Sequence, residues 1–293
     1  MKARLILSNV LFLLLFTNCT EELIRKEIPN SLYPVKLVRS DSFPIYIEQF
    51  SPQKIAVDIK GNIFVLGNGS RLVIIKKAGK SEEIALEAIK PCELVDIATD
   101  GFDIFLLDRM NRKIWTVSRG KVLSKGFPLK QRPVLFDVSD KGLFSLIYSN
   151  YSEISVFSKT ETGLSSFHLD GASINGGEST LLIKEHVVYF AMPGNDMIEK
   201  LFLYNPSRRA YLHVDSPISL DLDRWNNLFV QSRQGIFCFK QREKEEKVFL
   251  SEEEGSDISV YNQRMFILKP EKKSVDVFEI IYSSPGSNHG TGE

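Results

Sequence analysis

The sequence predicts an all-β protein, a six-bladed β-propeller of four-stranded blades, and three observations carry this prediction. One pattern recurs along the chain: an apolar run, a short polar turn, a second apolar run, a second turn and a third apolar run. The runs alternate with period 2 and are rich in Ile, Val, Leu and Phe, as β-strands are. No repeat contains a helical stripe of about ten residues, which excludes the helical solenoids of similar period.

The spacing of the repeats matches the length of a propeller blade. An aromatic residue marks the second strand of each repeat, at Phe64, Phe105, Phe144, Tyr189, Phe229 and Phe266. Subtracting successive positions gives intervals of 41, 39, 45, 40 and 37 residues. A strand-only unit of about 40 residues is typical of propeller blades. The six repeats span Lys54–Lys77, Leu94–Ser118, Val134–Ser158, Ser179–Asn205, Pro217–Lys240 and Asp257–Ile281.

The first and last repeats differ in a way that predicts how the ring closes. Each of the first five repeats is followed by a fourth, outer strand, such as Glu82–Ala88 or Lys247–Leu250, whereas the sixth stops at Ile281. The segment Pro44–Phe50 precedes the first repeat. We expect it to pair as the outer strand of the last blade, because that pairing ties the chain ends together and removes exposed edges. The propeller is therefore predicted to span residues 44–282.

The N-terminus is predicted to be an export signal. Lys2 and Arg4 form a positive start, and Leu5–Phe16 is an almost unbroken apolar stretch. As a helix this stretch would be about 18 Å long at ~1.5 Å per residue, which is short of the ~30 Å hydrocarbon core. A secretory signal is therefore favoured over a membrane-spanning anchor.

Residues Phe16-Thr17-Asn18-Cys19 resemble the lipobox of bacterial lipoproteins. The resemblance implies that residues 1–18 are a signal peptide, that Cys19 receives lipids, and that the protein is exported and anchored in the cell envelope. Two or more acyl chains give stable anchoring, at ~0.8 kcal/mol per buried methylene. In that family an Asp after the cysteine retains the protein in the inner membrane, whereas Thr20 stands here, so the outer membrane is the expected location. An ordinary secretory signal with an incidental cysteine is the alternative.

Two segments flank the repeats and lack their pattern. Residues 19–43 mix charges with prolines and show no sustained period, which predicts a lipid-anchored tether. Residues 283–293, with the sequence SSPGSNHGTGE, are rich in Gly, Ser and Pro and predict a disordered tail.

The repeats resemble the NHL family of β-propellers in three places. That family has a Pro before the inner strand, Asp-x-x-Gly-Asn before the second strand, and Asp-x-x-Asn-x-Arg-Ile in the next hairpin. The matching residues are Pro52, Asp58, Gly61 and Asn62 in the first repeat, Asp108, Asn111 and Ile114 in the second, and Pro217, Asp223 and Asn227 in the fifth. In the second repeat the arginine, Arg112, stands one residue before its place in the pattern, which Lys113 occupies. The resemblance implies a fold but no single activity, because the family includes RNA binders, scaffolds, a peptide-processing lyase and bacterial envelope proteins.

Composition and motif searches exclude several classes of function. The chain has 37 Lys and Arg against 37 Asp and Glu, and this formal net charge of zero argues against a nucleic-acid partner. No Gly-x-Ser-x-Gly elbow occurs, and no two histidines stand at His-x-x-x-His spacing. Cys92 and Cys238 fall on nearly opposite blades, beyond the ~7 Å limit for a disulfide, so both are expected to be free thiols. Asp108 and Arg112 are expected to form a local ion pair across a hairpin tip.

One group of carboxylates suggests a metal site. The start of each inner strand of a propeller rims the central channel, and Glu93, Glu178 and Asp257 hold that position on alternate blades. Oxygen ligands that converge there suit a hard cation such as Ca²⁺. The arrangement resembles the axial calcium site of the gluconolactonase and paraoxonase hydrolases, which are also six-bladed. Solvated or arginine-paired carboxylates are the favoured interpretation, so no cofactor is expected, and a Ca²⁺ site is the alternative.

The leading functional hypothesis is an envelope lipoprotein whose propeller is a binding platform for a protein or a small ligand, with no catalytic residues. Hairpin tips are expected to share one face with the starts of the inner strands, and loops on such a rigid ring carry contacts. The candidate binding residues on that face are Asp108, Arg109, Tyr151, Asn195 and Arg233. The alternative is a calcium-dependent hydrolase or lyase. The expected partners are the membrane, through the lipid anchor, and a protein or small ligand, but not nucleic acid.

Overall fold

The computed structural model describes residues 32–40, 44–77, 79–123, 125–150, 153–158, 165–169, 179–240 and 246–283. The predicted signal peptide, Cys19, Tyr151, Glu178 and residues 284–293 lie outside this part of the chain. Helix in the described residues is limited to three 3-10 turns, at Glu87–Ile89, Pro193–Asn195 and Pro270–Lys272. No helix described here is long and apolar enough to cross a membrane.

Six antiparallel sheets form a six-bladed β-propeller, which confirms the predicted fold. Two N-terminal strands, β1 (Tyr33–Arg39) and β2 (Ile45–Tyr46), come first in the chain. Blade 1 contains β3 (Pro52–Val57), β4 (Ile63–Gly67), β5 (Arg71–Ile75) and β6 (Ser81–Glu83). Blade 2 contains β7 (Leu94–Thr99), β8 (Ile104–Asp108), β9 (Lys113–Ser118), β10 (Lys121–Val122) and β11 (Phe127–Pro128). Blade 3 contains β12 (Pro133–Val138), β13 (Leu143–Tyr148), β14 (Glu153–Ser158) and β15 (Ser165–His168).

The second half of the ring repeats this order. Blade 4 contains β16 (Thr180–Lys184), β17 (Val187–Met192), β18 (Met197–Phe202) and β19 (Asn205–His213). Blade 5 contains β20 (Pro217–Leu222), β21 (Leu228–Ser232), β22 (Gly235–Lys240) and β23 (Glu246–Ser251). Blade 6 contains β24 (Asp257–Tyr261), β25 (Arg264–Lys269) and β26 (Ser274–Ser283), with β1 and β2 on its outer edge.

The first strand of each blade is its inner strand, and these six strands contact one another in cyclic order around the axis. We call the end where the inner strands finish the turn end, because it carries the turns between first and second strands. Asp58 shapes one such turn by accepting hydrogen bonds from the backbone N–H groups of Lys60 and Asn62, at 2.9 and 2.8 Å. We call the opposite end, with the strand starts and the tips of the hairpins between second and third strands, the tip end.

Hydrophobic clusters fill the six junctions between neighbouring blades. The second strands contribute most to them, because both faces of those strands are covered by other blades. At the junction of blades 2 and 3, Phe105 and Phe144 meet edge to face with their ring centroids 5.2 Å apart, and Phe144 stacks on Phe157 at 5.5 Å. Each ring buried in this way stabilises the fold by about 2–3 kcal/mol. The ring is therefore held together by contacts between blades as well as by the sheets.

Closure uses two N-terminal strands rather than one. Ile45 and Tyr46 pair with Val275 and Ser274, which confirms that the predicted segment joins the last blade. The longer outer strand is β1, which also pairs with β26 and lies inside the range assigned to the tether. Its Leu37 is buried in the cluster between blades 5 and 6. The propeller thus begins before residue 44, because this short strand gains its stability from β26 rather than from a period of its own.

Both described cysteines are free thiols, as the sequence predicts. Cys238 is buried on β22, and burial raises its pKa well above the usual thiol range. Cys92 is partly buried ahead of blade 2, and burial raises its pKa as well.

Candidate functional site

A cavity among the described residues lies on the ring axis and extends to the turn end. It has a volume of about 360 Å³ and is lined by all six inner strands. Six charged side chains from these strands line it, namely Lys54, Asp96, Asp137, Lys184, Asp221 and Asp257. A cavity of this size and depth is within the range of small-molecule sites.

The four aspartates of this channel each join one blade to the next. Every one accepts a hydrogen bond from a backbone N–H on the inner strand of the following blade. The bonds run from Phe136 to Asp96 (3.2 Å), from Ile183 to Asp137 (2.7 Å), from Val260 to Asp221 (2.5 Å) and from Ile55 to Asp257 (2.9 Å). Four of the six blade junctions are bridged in this way.

Further contacts fix the orientation of the carboxylates. Asp257 also accepts a hydrogen bond from the Ser219 hydroxyl at 2.6 Å. Asp96 and Asp221 each accept one from the backbone N–H of the next residue in the chain, at 3.0 and 2.7 Å. A carboxylate offers about four acceptor positions, so each of these three still has acceptor capacity after its two bonds.

Burial and mutual repulsion weaken the acidity of the channel carboxyls. Burial raises the pKa of Asp96 to about 6, although Lys54 and the Phe136 N–H act in the opposite direction. Burial also raises the pKa of Asp221 to about 7 and that of Asp137 well above its usual range. For Lys54, burial alone would lower the pKa, but the carboxylates of Asp257 and Asp96 outweigh it and raise the value.

The three carboxylates proposed from the sequence as calcium ligands do not form a described metal site. Glu93 lies at the tip end, where it forms ion pairs with Arg109 and, at 3.5 Å, with Arg132. A hydrogen bond from Arg109, with Arg132 nearby, lowers the pKa of Glu93. Asp257 lines the channel, and Glu178 lies outside the described residues. In the part of the chain that the structure describes, no group of three His, Cys, Asp or Glu side chains is arranged to hold a metal ion.

Hairpin tips and inner-strand starts do lie together at the tip end. Backbone hydrogen bonds run from Arg109 N to the Glu93 carbonyl at 2.9 Å and from Ser149 N to the Arg132 carbonyl at 2.8 Å. Of the candidate binding residues, Asn195 and Arg233 are exposed in their tips, and the Arg109 side chain is about one-third exposed. Tyr151 lies outside the described residues. The backbone hydrogen bonds of Arg109 and Ser149 therefore fix these two hairpin tips to the starts of the inner strands.

Asp108 is not the surface residue that the sequence pattern predicts. It is fully buried, and its carboxylate accepts hydrogen bonds from the Trp115 indole at 3.0 Å and from Asn111 at 2.7 and 3.0 Å. These contacts take the place of the expected pair with Arg112. Asp108 therefore shapes the hairpin tip and offers no surface to a partner.

Asp96, Asp137 and Asp221 were not predicted, because the starts of the inner strands point only to Asp257 among the four channel aspartates. The available signal was an acidic residue inside an apolar strand, as in Leu94-Val-Asp-Ile, Leu135-Phe-Asp-Val and Ser219-Leu-Asp-Leu. An acid within such a strand must face either the channel or a partner across a blade junction. Asp96, Asp137 and Asp221 face the channel and also bind a partner across a blade junction.

Comparison with known proteins identifies the fold and no family. No protein-family model matches the chain, and no curated protein matches it. Among solved structures, a streptogramin B lyase is 12% identical with a TM-score of 0.56 over 81% of this chain and 86% of that chain. A protein of unknown function from Bacteroides thetaiotaomicron is 10% identical with a TM-score of 0.59 over 85% and 76%. A nidogen/laminin complex is 15% identical with a TM-score of 0.50 over 68% and 80%. At these identities the likeness shows a β-propeller fold alone.

Proposed function

We propose that this protein is an exported, lipid-anchored envelope protein whose NHL-like propeller is a binding platform for a protein or a small ligand. The observation that carries the proposal is the closed ring itself. Its channel carboxylates hold neighbouring blades together and its hairpin tips are hydrogen-bonded to the strand starts. A rigid surface of this kind binds with little loss of conformational freedom, which favours affinity.

The lipid anchor is supported by the sequence at Cys19. The first described strand begins at Tyr33, which is 33 − 19 = 14 residues later. Acylation at Cys19 therefore leaves every described strand of the propeller intact. With two or more acyl chains, attachment to the membrane is stable.

The tip end is the proposed surface for a protein partner. Met110 is 56% exposed there and the Arg132 side chain 59% exposed, next to the Arg109–Glu93 pair. Arginine and large apolar side chains are enriched where proteins bind each other. Arg233 and Asn195 extend this surface across other blades.

The calcium-dependent hydrolase or lyase is the less favoured alternative. It requires free carboxylates that converge on the axis, whereas Glu93 is engaged by two arginines. Calorimetric titration of the protein with Ca²⁺ tests it directly. Stoichiometric binding together with calcium-dependent turnover of lactones or esters would favour the enzyme over the platform.

The platform is tested by crosslinking and pull-down from envelope membranes. The full chain is compared with a variant carrying Arg109→Glu, Tyr151→Ala and Arg233→Glu, and with the matched control Lys141→Glu, an exposed charge at the turn end. We expect a specific partner to be lost with the triple variant and kept with the control. Recovery of the same partners with all three proteins would refute the tip-end surface. The anchor is tested separately, since Cys19→Ala is expected to move the protein from the membrane to the soluble fraction.

A further inference from the structure

We infer that the channel cavity at the turn end binds a small organic cation through a primary ammonium group. This site is separate from the tip-end surface and does not depend on the lipid anchor. Four features of the cavity point to this ligand: its charge, its hydroxyl groups, its apolar mouth and the arrangement of its acceptors.

The charge of the cavity is predominantly negative. Seven aspartates line it against three cations, Lys54, Lys184 and Arg224; the aspartates are Asp96, Asp100, Asp137, Asp140, Asp221, Asp223 and Asp257. Lys184 lies at the rim, where it pairs with Asp140 at 2.9 Å. A cleft lined by one sign of charge focuses the field and concentrates ions of the opposite sign.

The hydroxyl of a largely buried serine opens onto the same cavity. Asp257, Ser259 and Tyr261 alternate along β24 and so project to the same side. The two longer side chains reach blade 1, Asp257 at the Ile55 N–H and Tyr261 at the Ile59 carbonyl. Ser259 lies between them, lines the cavity and is only 7% exposed, and its hydroxyl contacts no hydrogen-bonding group of the described chain. A hydroxyl that opens onto the cavity in this way can bind a polar group of a ligand.

Apolar side chains stand at the mouth of the cavity. Ile59 is 44% exposed and lines the opening beside Tyr261 and Gly101. Such a mouth suits the methylene chain of an alkylamine, whose ammonium group can then reach the carboxylates below.

The arrangement of acceptors favours an ammonium group over a metal ion. Calcium needs six to eight oxygens at one point, and no described group of three acidic, His or Cys side chains converges in that way. An ammonium group needs only three acceptors. Asp221, Asp257 and Ser259 all line the cavity, and each offers acceptor positions to such a group.

The test is calorimetric and thermal-shift titration of the full-length protein in neutral detergent with 1,5-diaminopentane. The uncharged 1,5-pentanediol and the dianion glutarate are the matched probes. We expect the diamine to bind with one site per chain and to raise Tm, and the diol and the dianion to do neither. Equal binding of the diol, binding of glutarate in preference to the diamine, or no binding of the diamine at millimolar concentration would each overturn the proposal.

Two variants sharpen the result. Ser259→Ala removes one acceptor and is expected to weaken diamine binding by about fivefold. Lys54→Met removes the competing ammonium and is expected to tighten binding by roughly tenfold. Lys141→Met, at the same end but outside the cavity, serves as the control and should change nothing. Unchanged affinity in Ser259→Ala, or weaker binding in a folded Lys54→Met, contradicts the inference.

The pH dependence gives a readout that needs no variant. The diamine stays fully charged between pH 5 and pH 8, so any change in affinity must come from the protein. Burial raises the pKa of Asp96 to about 6 and that of Asp221 to about 7. The other charged groups of the cavity are Lys54, Asp100, Asp137, Asp140, Lys184, Asp223, Arg224 and Asp257. Affinity is therefore expected to rise as pH increases through this range. Affinity that is flat or falls from pH 5 to pH 8 argues against binding at these carboxylates.

Discussion

Asp257 on the last blade accepts a 2.9 Å hydrogen bond from the backbone N–H of Ile55 on the first blade, 202 residues earlier in the chain. The contact crosses the seam where the ring closes, and it is made by a side chain at the axis rather than by a strand at the rim. Closure thus has an inner contact at the channel and an outer contact at β26. The same geometry recurs at three other junctions, through Asp96, Asp137 and Asp221.

Removing the inner contact should destabilise the whole ring. Asp257→Ala leaves the Ile55 N–H and the Ser219 hydroxyl without their acceptor, and a buried donor left unsatisfied costs about 1–3 kcal/mol. We expect the free energy of unfolding in urea to fall by about 2 kcal/mol. Asp140→Ala, which removes an exposed carboxylate at the same end, is the control and should cost about 0.5 kcal/mol. If both variants lower the free energy of unfolding by the same amount, the hydrogen bonds of Asp257 contribute no more than an exposed carboxylate does.

The channel carboxyls should make stability decrease as pH rises. Because the pKa of Asp221 is raised from 3.8 to about 7 in the folded protein, the folded state holds this proton more tightly than the unfolded chain does. That contribution is fully present below pH 3.8 and is lost as pH rises through about 7. Asp221→Asn cannot ionise, so from pH 5 to pH 8 the wild type should lose about 2 kcal/mol relative to this variant. Parallel pH profiles for the two proteins would contradict the raised pKa.

The outer contact at β26 includes a buried ion-pair network. Removing different members of this network should destabilise the protein by different amounts. Asp276, which is 1% exposed, lies 2.6 Å from Arg39 of β1 and 3.2 Å from the buried Lys269. Asp276→Ala should cost about 3 kcal/mol, because it removes a partner of a buried ammonium. Arg39→Ala should cost about 1 kcal/mol or less, since that side chain is 55% exposed. Thermal unfolding of both variants checks the order, and a larger loss for Arg39→Ala would reverse it.

Two phenylalanines of very different exposure offer a matched pair for the core. Phe144 is 2% exposed between blades 2 and 3, whereas Phe102 is 77% exposed. Phe144→Ala should cost about 3–5 kcal/mol through lost burial and the cavity that remains. Phe102→Ala should cost about 0.5 kcal/mol or less. Urea unfolding of the two variants gives the comparison, and similar midpoints would be inconsistent with this packing.

The free cysteines should differ in their reactivity toward a thiol reagent. Burial raises the pKa of Cys238 and encloses its sulfur, whereas Cys92 is partly exposed. In a Cys19→Ala background the folded protein should therefore react at Cys92 slowly, and at Cys238 only after unfolding. Mass spectrometry of the labelled protein distinguishes the two sites. Labelling of Cys238 in the native state at the rate of Cys92 would contradict its burial.

The blade repeat could be predicted from the sequence because burial on both faces of the second strands leaves a strong apolar signal. The role of β1 could not, since a short strand with Pro34 and two basic residues shows little period of its own and depends on β26. The burial of Asp108 was equally hidden. It depends on the Trp115 indole folding back seven residues along the chain, which a residue pattern does not reveal.

The candidate site was less predictable than the fold for a related reason. The pattern of strand starts predicts that Asp257 and Glu93 lie together at the channel. Asp257 does line the channel, but Glu93 does not. In the structure Glu93 is held at the tip end by Arg109 and Arg132, because opposite charges from neighbouring loops meet there. Contacts of this kind depend on side-chain reach across blades.

The double pairing of β26 has a mechanical consequence for the N-terminus. β1 and β2 both pair with β26, and both come before blade 1 in the chain. A pull on the N-terminus loads β1 first, and peeling β1 away leaves β2 and the Asp257–Ile55 contact still closing the seam. The N-terminal edge of the ring is therefore held by contacts that break one after another. β1 can detach under tension while β2 and the channel contact keep the propeller closed.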